Sequence, residues 1–430
     1  MNTALLRRPA LAGLSATFAL RICAIGLTFI QTLALTRVFG AEVYGSLSLA
    51  ISLAALGMLA LSLGMDQVLM RDLARIGPAN ARGSETWQNT LGQTRRAVVP
   101  LTFIVTLAAS LLAAQGTNPA LLAIALCLPL LLARKFVENW VLGAGHVLRS
   151  MLASQIVFPV TITLGATLLL FSPITADLRA ASILYVTAAS LSVVAALILS
   201  GATIRATWPS VWRLDDGQAL RTGRALALVS FGFLASQHLD VLLTGLLSDP
   251  IDVALVRVSA RVAEMLGLMR MVAVLHFKPK IAAAYGAGDR AKLEGQTRTL
   301  TLIFVASGLP LFTLLWIFAG PVLSLFGPEF SAAAPVLRLY LVGIGLTLLA
   351  GPCTLLLTLC DAESQAVRIL WTALAVNLIL DLVLIPVYGA MGCAIANVAA
   401  LATLSILGIR ATRRVTGIDP SCLSLVRKEP

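Results

Sequence analysis

Long apolar runs recur along the whole chain, and their length restricts the kind of fold it can adopt. Each is about as long as a helix that crosses the hydrocarbon core of a bilayer, which takes about 20 residues. A backbone in lipid must satisfy its own hydrogen bonds, and continuous apolar runs favour helices over the alternating pattern of a β-barrel. Twelve runs are predicted as transmembrane helices, at residues 14–36, 44–65, 97–114, 120–142, 151–171, 180–204, 224–247, 251–276, 299–319, 333–359, 366–387 and 390–411.

The composition agrees with a multi-pass membrane protein. Hydrophobic residues make up 58% of the chain and charged residues 12%, whereas a globular protein is about 25% charged. Arg7 and Arg8 precede the first run, as in a signal peptide, but Arg21 interrupts that run and no small-residue cleavage site closes it. An uncleaved first span is therefore predicted.

The basic residues predict the orientation of the chain. Connections after odd-numbered spans are short and carry few charges, whereas those after even-numbered spans are mostly longer and basic. Most of the 32 basic residues lie on this second side, and only Arg37 and Arg179 lie in the opposite connections. The positive-inside rule then places both termini in the cytoplasm. This bias accounts for most of the net charge of +12, so no nucleic-acid partner is needed to explain it.

The chain is predicted to consist of two halves of six spans each. LGQTRR at 91–96 enters the third span and EGQTRT at 294–299 enters the ninth, and Asp215-Asp216-Gly217 is a turn signal between the halves. Parallel repeats of this kind enclose a central path. We therefore expect an all-α polytopic protein of about twelve transmembrane helices, in two six-helix lobes around a central cavity. The predicted parts are an N-terminal lobe (1–204), a cytoplasmic linker (205–223), a C-terminal lobe (224–412) and a cytoplasmic tail (413–430).

One predicted span is unusual in its charge. The run Ile251–Phe277 carries Arg257, Arg261 and Glu264, which share one face of a helix. A charge at the bilayer centre costs at least about 2.5 kcal/mol, so such residues usually face a watery path and mark a functional site. The alternative is a salt bridge between Arg261 and Glu264 that helps the helices pack.

Four arginines are candidates for a cationic cavity: Arg21, Arg257, Arg261 and Arg338. Arginine stays charged when buried, and its fork matches phosphate oxygens in pairs. The set therefore favours an anionic, phosphate-bearing cargo. Arg338 lies near the predicted outer surface, where it could instead anchor its helix at the interface.

Three acidic residues lie within spans and are candidates for ion coupling or structural pairing: Asp240, Glu264 and Asp381. Asp240 and Arg257 fall at similar depth on consecutive helices, which predicts a structural pair. Asp381 has no arginine at its depth and is the best candidate for proton or sodium coupling. The alternative is a hydrogen bond, with Asn377 one turn away as a partner.

No cofactor, metal or catalytic residue is expected. The six cysteines and three histidines show no metal-ligand spacing. The chain also lacks a GxxxxGK[ST] nucleotide loop and a GxSxG nucleophile motif.

Residues 31–75 closely resemble the opening of Wzx-type polysaccharide-biosynthesis flippases, within the multidrug/oligosaccharidyl-lipid/polysaccharide (MOP) exporter superfamily. The similar features are an LTR-x-x-G turn (LTRVFG), a YG after Glu42, and a GMDQ segment followed by arginine. Residues 239–266, 279–295 and 326–340 resemble later segments of the family. The chain departs from the pattern at 251–255, which lacks the usual Gly and aromatic residue, and at Ser248, where the family has Gly.

The resemblance implies a transporter of the bacterial inner membrane. Such proteins move polyprenyl-diphosphate-linked oligosaccharides between leaflets by alternating access. It implies that Arg21, Arg257 and Arg261 meet the diphosphate or acidic sugars. The implied partners are a lipid-linked anionic glycan, membrane lipids, a proton or sodium ion, and polysaccharide polymerase machinery.

Three other functions compete with this one. A cation-coupled multidrug exporter of the same superfamily would favour acidic residues in its path, which the arginines at 257 and 261 oppose. A peptidoglycan-precursor flippase would have fourteen spans. A membrane enzyme, such as a glycan polymerase or ligase, needs a sizeable outer loop, and the longest outer connection, 319–333, is short and has a single acidic residue, Glu329.

Overall fold

The computed structural model of the protein describes residues 3–114, 119–171, 175–209 and 218–426. These ranges are helical and contain no strand. The Asp215-Asp216-Gly217 turn expected from the sequence lies outside the described residues, as do Arg213, Arg427 and Lys428.

The chain forms two compact units, residues 1–238 and 239–430. The first unit contains α1 (Thr3–Ser62), α2 (Met65–Ile76), α3 (Glu85–Ala114), α4 (Pro119–Gly143), α5 (Val147–Leu152), α6 (Phe158–Leu169) and α7 (Leu178–Thr207). Helix α8 (Gln218–Leu247) runs across the boundary between the units. A 3-10 turn at Ala81–Gly83 precedes α3, and a π-helical turn at Ala153–Val157 joins α5 to α6.

The second unit contains the remaining helices, which are α9 (Pro250–Ala263), α10 (Gly267–Gly286), α11 (Arg290–Ile317), α12 (Ala319–Ser324), α13 (Ala334–Ala350), α14 (Cys353–Leu359), α15 (Glu363–Tyr388), α16 (Ala390–Thr416) and α17 (Leu423–Val426). Two 3-10 turns lie among them, Glu264–Leu266 between α9 and α10, and Pro328–Ala333 before α13.

Helix α1 is two spans joined at a glycine. Its 60 residues would extend about 90 Å if straight, three times the hydrocarbon thickness of a bilayer. The helix is broken at Gly40, whose φ of 72° and ψ of 176° lie outside the helical region. Only glycine adopts this backbone conformation readily. The break falls in the LTRVFG turn, between the first two predicted spans.

The helices confirm an all-α multi-pass membrane protein. Seven segments of the described residues are long and apolar enough to cross a membrane, and the first of them, Ala19–Ser62, contains the Gly40 break. The other predicted spans coincide with α3, α4, α8, and α9 together with α10. About twelve transmembrane helices are therefore consistent with the structure.

A tryptophan cluster closes one end of the first unit. The indole Nε1 of Trp87 donates to the carbonyl of Thr207 at 2.8 Å, and that of Trp140 donates to the Thr207 hydroxyl at 2.7 Å. The Trp87 and Trp140 rings meet edge to face, and Trp208 stacks on Trp140. Thr207 thereby ties the end of α7 to both α3 and α4.

The GMDQ segment begins α2 and holds it in place. Asp66 is buried and accepts from the Lys135 ammonium at 3.3 Å and from Nδ2 of Asn139 at 3.2 Å, both on α4. Gln67 donates to the hydroxyl of Ser230 on α8. The acidic and amide side chains of this segment therefore have structural roles inside the first unit.

Candidate functional site

Three helices of the second unit and the end of α8 converge on a buried polar cluster. Its members come from the end of α8, from α13, and from pairs one turn apart on α15 and α16, and they are Asp240, Tyr340, Asn377, Asp381, Cys393 and Asn397. A membrane interior rarely accommodates so many polar side chains unless they satisfy one another or face a functional path.

A single glycine sets the register of two of these helices. α15 ends at Tyr388 and α16 begins at Ala390, so Gly389 alone joins them, with a φ of 54°. Asp381 and Asn397 lie the same number of residues on either side of Gly389 and therefore reach similar depth. The i, i+4 spacing of Asn377 with Asp381, and of Cys393 with Asn397, places each pair on one helix face.

The hydrogen bonds of the cluster centre on Asp240. Its Oδ2 accepts from the Tyr340 hydroxyl and from Nδ2 of Asn397, both at 3.0 Å. Its Oδ1 accepts from Nδ2 of Asn377 at 2.9 Å. The same Asn377 nitrogen also donates to Oδ2 of Asp381. One amide group therefore bridges two carboxylates on different helices.

Two buried oxygen atoms of the cluster have no hydrogen-bond partner among the described residues, Oδ1 of Asp381 and Oδ1 of Asn397. Asp381 itself is fully buried. An oxygen in this position normally has a donor or a cation, because an unsatisfied buried acceptor costs about 1–3 kcal/mol. Ligand atoms of Asp240, Asp381 and Cys393 lie within 4.8 Å of one another, a separation that one bound ion could bridge.

The chemistry of the cluster favours a small hard cation or a proton. Among the described residues, no lysine or arginine bonds to either carboxylate of the pair. Two ionised carboxylates this close and this buried repel each other strongly, and a shared proton or a cation relieves the repulsion. Carboxylate and amide oxygens suit hard cations, whereas the single thiol of Cys393 does not provide a soft-metal site.

The pairing predicted between Asp240 and Arg257 is wrong. Asp240 is engaged by one hydroxyl and two amides instead. Similar depth on consecutive helices does not determine which faces meet. Asp240 points toward α13, α15 and α16, whereas Arg257 lies half-buried on α9. For Asp381, the structure contains the predicted hydrogen bond with Asn377.

The structure brings Arg261 and Glu264 together. Nη1 of Arg261 lies 2.8 Å from Oε2 of Glu264, whose side chain is 58% exposed. Glu264 also begins the 3-10 turn that interrupts the run Ile251–Phe277. Helix α9 therefore ends at Ala263, two residues after Arg261. The salt bridge considered as the alternative is thus present, in a partly exposed setting where such pairs contribute about 0–1 kcal/mol.

The other two predicted arginines lie elsewhere. Arg21 is exposed on α1. Arg338 donates from Nε to the carbonyl of Trp316 at 3.4 Å, and its guanidinium carbon lies 5.8 Å from the centre of the Trp316 ring. These contacts fit the interfacial anchor considered for Arg338.

Sequence reasoning missed the convergence of Tyr340, Cys393 and Asn397 on Asp240. Asp381 stood out as an acid without a basic partner. The i, i+4 pair Asn377 and Asp381 was the available signal. That Asp240, more than 130 residues earlier, meets this pair depends on how four helices pack.

Comparison with known proteins relates this fold to membrane transporters. Residues 225–387 match the family model described as MatE. Comparison with curated proteins finds no significant match.

Solved structures share the fold over nearly the whole chain. An inward-facing multidrug resistance MATE family transporter of the MOP superfamily has 16% identity, covering 91% of this chain and 94% of its own, with a TM-score of 0.69. The lipid II flippase MurJ, in an inward closed conformation, is 11% identical to this chain. The match covers 93% of this chain and 87% of MurJ, with a TM-score of 0.69. A MOP superfamily transporter from Pyrococcus furiosus, for which the reversed polarity of the binding pocket suggests a different function, is 18% identical to this chain. The match covers 92% of this chain and 95% of that transporter, with a TM-score of 0.53. The chain therefore has the fold of MATE transporters and of MurJ.

Proposed function

We propose that this protein is a secondary transporter of the MOP superfamily that flips a polyprenyl-diphosphate-linked oligosaccharide across the bacterial inner membrane. Transport proceeds by alternating access, with both termini in the cytoplasm. The observation that carries the cargo class is the pair Arg257 and Arg261, half-buried one turn apart in the second half of α9. The shared fold and the MatE match at 225–387 support membership of the superfamily.

The two arginines suit a diphosphate better than a cationic drug. A guanidinium donates in pairs to phosphate oxygens and keeps its charge in a membrane. The salt bridge to Glu264 occupies one nitrogen of Arg261. The resemblance of residues 31–75 to Wzx-type flippases supports the same cargo.

We further assign coupling to the cluster around Asp240 and Asp381. A bound cation or proton neutralises the carboxylate pair. When it is released, the two carboxylates repel each other, and the helices relieve this repulsion by rearranging. A transporter can use such a difference in affinity between two states to drive its cycle. Sodium and protons are the candidate ions, because the cluster presents carboxylate and amide oxygens.

The test uses purified protein in liposomes that contain a fluorescent polyprenyl-diphosphate oligosaccharide. The rate at which this lipid exchanges between the two leaflets is measured. We expect wild type to exchange the lipid and Arg257→Gln/Arg261→Gln to lose at least tenfold in rate. The matched control is Arg368→Gln, an exposed arginine on α15 of the same unit. Equal exchange by wild type and the double variant would remove the arginines from the cargo path.

A cation-coupled multidrug exporter is the second candidate, because the acidic cluster would serve it equally well. In that case the same liposomes would show ion-driven efflux of a cationic dye and no exchange of the lipid-linked glycan. The Asp381→Asn variant would then lose dye efflux, whereas the arginine double variant would retain it.

A further inference from the structure

The first unit contains a second polar cavity, a half-open one of about 390 Å³ bounded by α2, α3 and the first turns of α8. We propose that this cavity binds a phosphate-bearing polar ligand. The inference does not rest on the transport function proposed above, since none of the residues of that site line the cavity. The residues that carry it are Arg71, Asp72, Arg75, Thr86 and Thr90.

A close crossing of two glycines builds the third wall of the cavity. Gly64 precedes α2 with a φ of 70°, and a Cβ there would lie 2.1 Å from the carbonyl oxygen of Gly223. A Cβ on Gly223 would lie 2.7 Å from the carbonyl oxygen of Leu63. The two backbones therefore approach more closely than any other residue pair would allow. The approach presses the start of α8 against α2 and α3.

A side-chain hydrogen bond ties the same turn of α8 to α3. Oε1 of Gln93 accepts from the backbone amide of Leu220 at 3.0 Å. This amide belongs to the first turn of α8, where backbone N–H groups have no partner within the helix. Gln93 is buried, so the wall of the cavity is held in a defined position rather than left to solvent.

The charges of the cavity leave a net positive lining. Asp72 is buried and fully engaged, because Oδ1 accepts from Nε and Nη2 of Arg71 at 3.0 and 2.9 Å, and Oδ2 accepts from Thr90 at 2.8 Å. This pair fixes the guanidinium plane of Arg71. Arg75 follows one turn later on the same face of α2, is exposed, and has no hydrogen bond or ion pair to any described residue. Two arginines thus line the cavity together with one carboxylate whose hydrogen bonds are already satisfied.

This donor set fits phosphate. Phosphate accepts several hydrogen bonds at once, and arginine binds it in a forked geometry. The hydroxyl of Thr86 adds a donor that also suits the polar group attached to a phosphate. The volume lies within the range of small-molecule sites, about 300–1,000 Å³, and exceeds that of a lone anion. The ligand can be a soluble phosphate ester or the head group of an anionic lipid.

The experiment uses the full chain in phosphatidylcholine nanodiscs. Inorganic diphosphate is titrated calorimetrically, and nanodiscs containing phosphatidic acid are examined by native mass spectrometry for retained lipid. Arg75→Gln is the test variant. Arg96→Gln, an exposed arginine on α3 that does not line the cavity, is the matched control. Thr86→Glu is a second variant, which places a negative charge at an exposed lining position without touching the Arg71–Asp72 pair.

Saturable diphosphate binding that weakens at least tenfold in Arg75→Gln and Thr86→Glu, but not in Arg96→Gln, supports the site with a soluble ligand. Retention of phosphatidic acid with the same pattern of variants, without diphosphate binding, supports it with a lipid head group. The proposal is overturned if neither probe binds, or if Arg96→Gln weakens binding as much as Arg75→Gln does.

Discussion

Asp240 on α8 and Asp381 on α15 share one hydrogen-bond donor, Nδ2 of Asn377, although neither is ion-paired to a lysine or arginine among the described residues. Two buried carboxylates held by one amide are stable when a proton or cation balances their charge. This arrangement is the physical basis of the ion coupling proposed above.

The first prediction concerns ion binding at this pair. A ligand that binds only the folded state stabilises it, by about 2.7 kcal/mol at a concentration 100 times its dissociation constant. We expect saturating sodium or a lower pH to raise the melting temperature of the wild type, and Asp381→Asn to abolish that dependence. Glu363→Gln, an exposed acid on the same helix, should leave it unchanged. An ion dependence that survives in Asp381→Asn would place the ion elsewhere.

The second prediction concerns the bridging amide. Asn377→Leu removes one donor from each carboxylate, so the folded state should lose about 2–3 kcal/mol, the cost of leaving buried polar groups unsatisfied. The free energy of unfolding can be measured by SDS titration in mixed micelles. Leu378→Ala, at the next position but partly exposed, should cost under about 1.5 kcal/mol. Equal losses in the two variants would mean that the bridge contributes little.

The third prediction compares two glycines that both have a positive φ. Gly64 has a φ of 70° and a Cβ there would meet backbone at 2.1 Å, whereas Gly77 has a φ of 78° and nothing within 4 Å. Gly77→Ala should therefore cost only its strained backbone conformation, with a φ of 78° and a ψ of 146°, about 1–3 kcal/mol. Gly64→Ala adds a backbone clash that no side chain can relieve, and we expect little folded protein. Size-exclusion profiles and melting temperatures of both variants test this, and similar melting temperatures would contradict the close crossing.

The fourth prediction concerns the C-terminal segment, which packs back on the second unit. The Thr301 hydroxyl donates to the carbonyl of Pro420 at 2.8 Å, and the amide of Cys422 donates to the carbonyl of Leu349 at 2.9 Å. Partial burial acts to raise the pKa of Asp419, but hydrogen bonds from Arg413 and Ser421 outweigh it and lower that pKa below its usual value of 3.8. A lowered pKa means that the ionised form stabilises the docked segment. This stabilisation is full above pH 3.8 and is lost as the pH falls through the lowered pKa.

Hydrogen exchange of residues 418–426 measures this docking. At neutral pH we expect faster exchange in Asp419→Asn than in wild type, by less than about fivefold, because partly exposed ion pairs contribute about 0–1 kcal/mol. Asp249→Asn, at an exposed acid that precedes α9 and makes no capping hydrogen bond, serves as the control. If Asp419→Asn exchanges like the wild type at neutral pH, the carboxylate does not hold the segment.

The helical fold and many of its boundaries could be predicted from the sequence. Runs of about 20 apolar residues specify membrane helices because lipid offers the backbone no partners, and this argument needs no knowledge of packing. The turn at Gly40 also follows from local chemistry, since the break needs a residue without a Cβ. Asp240, Asp381, Arg257 and Arg261 stood out for a similar reason, as charges that an apolar run does not explain.

Tertiary structure decided which of these residues meet. Depth along a helix can be counted from the sequence, but the face that each helix turns toward its neighbours depends on packing among many side chains. For this reason Asp240 lies against Tyr340, Asn377 and Asn397 and not against Arg257. The cavity at Arg71 and Arg75 likewise depends on the crossing of Gly64 and Gly223, two residues far apart in sequence whose approach no local pattern reveals.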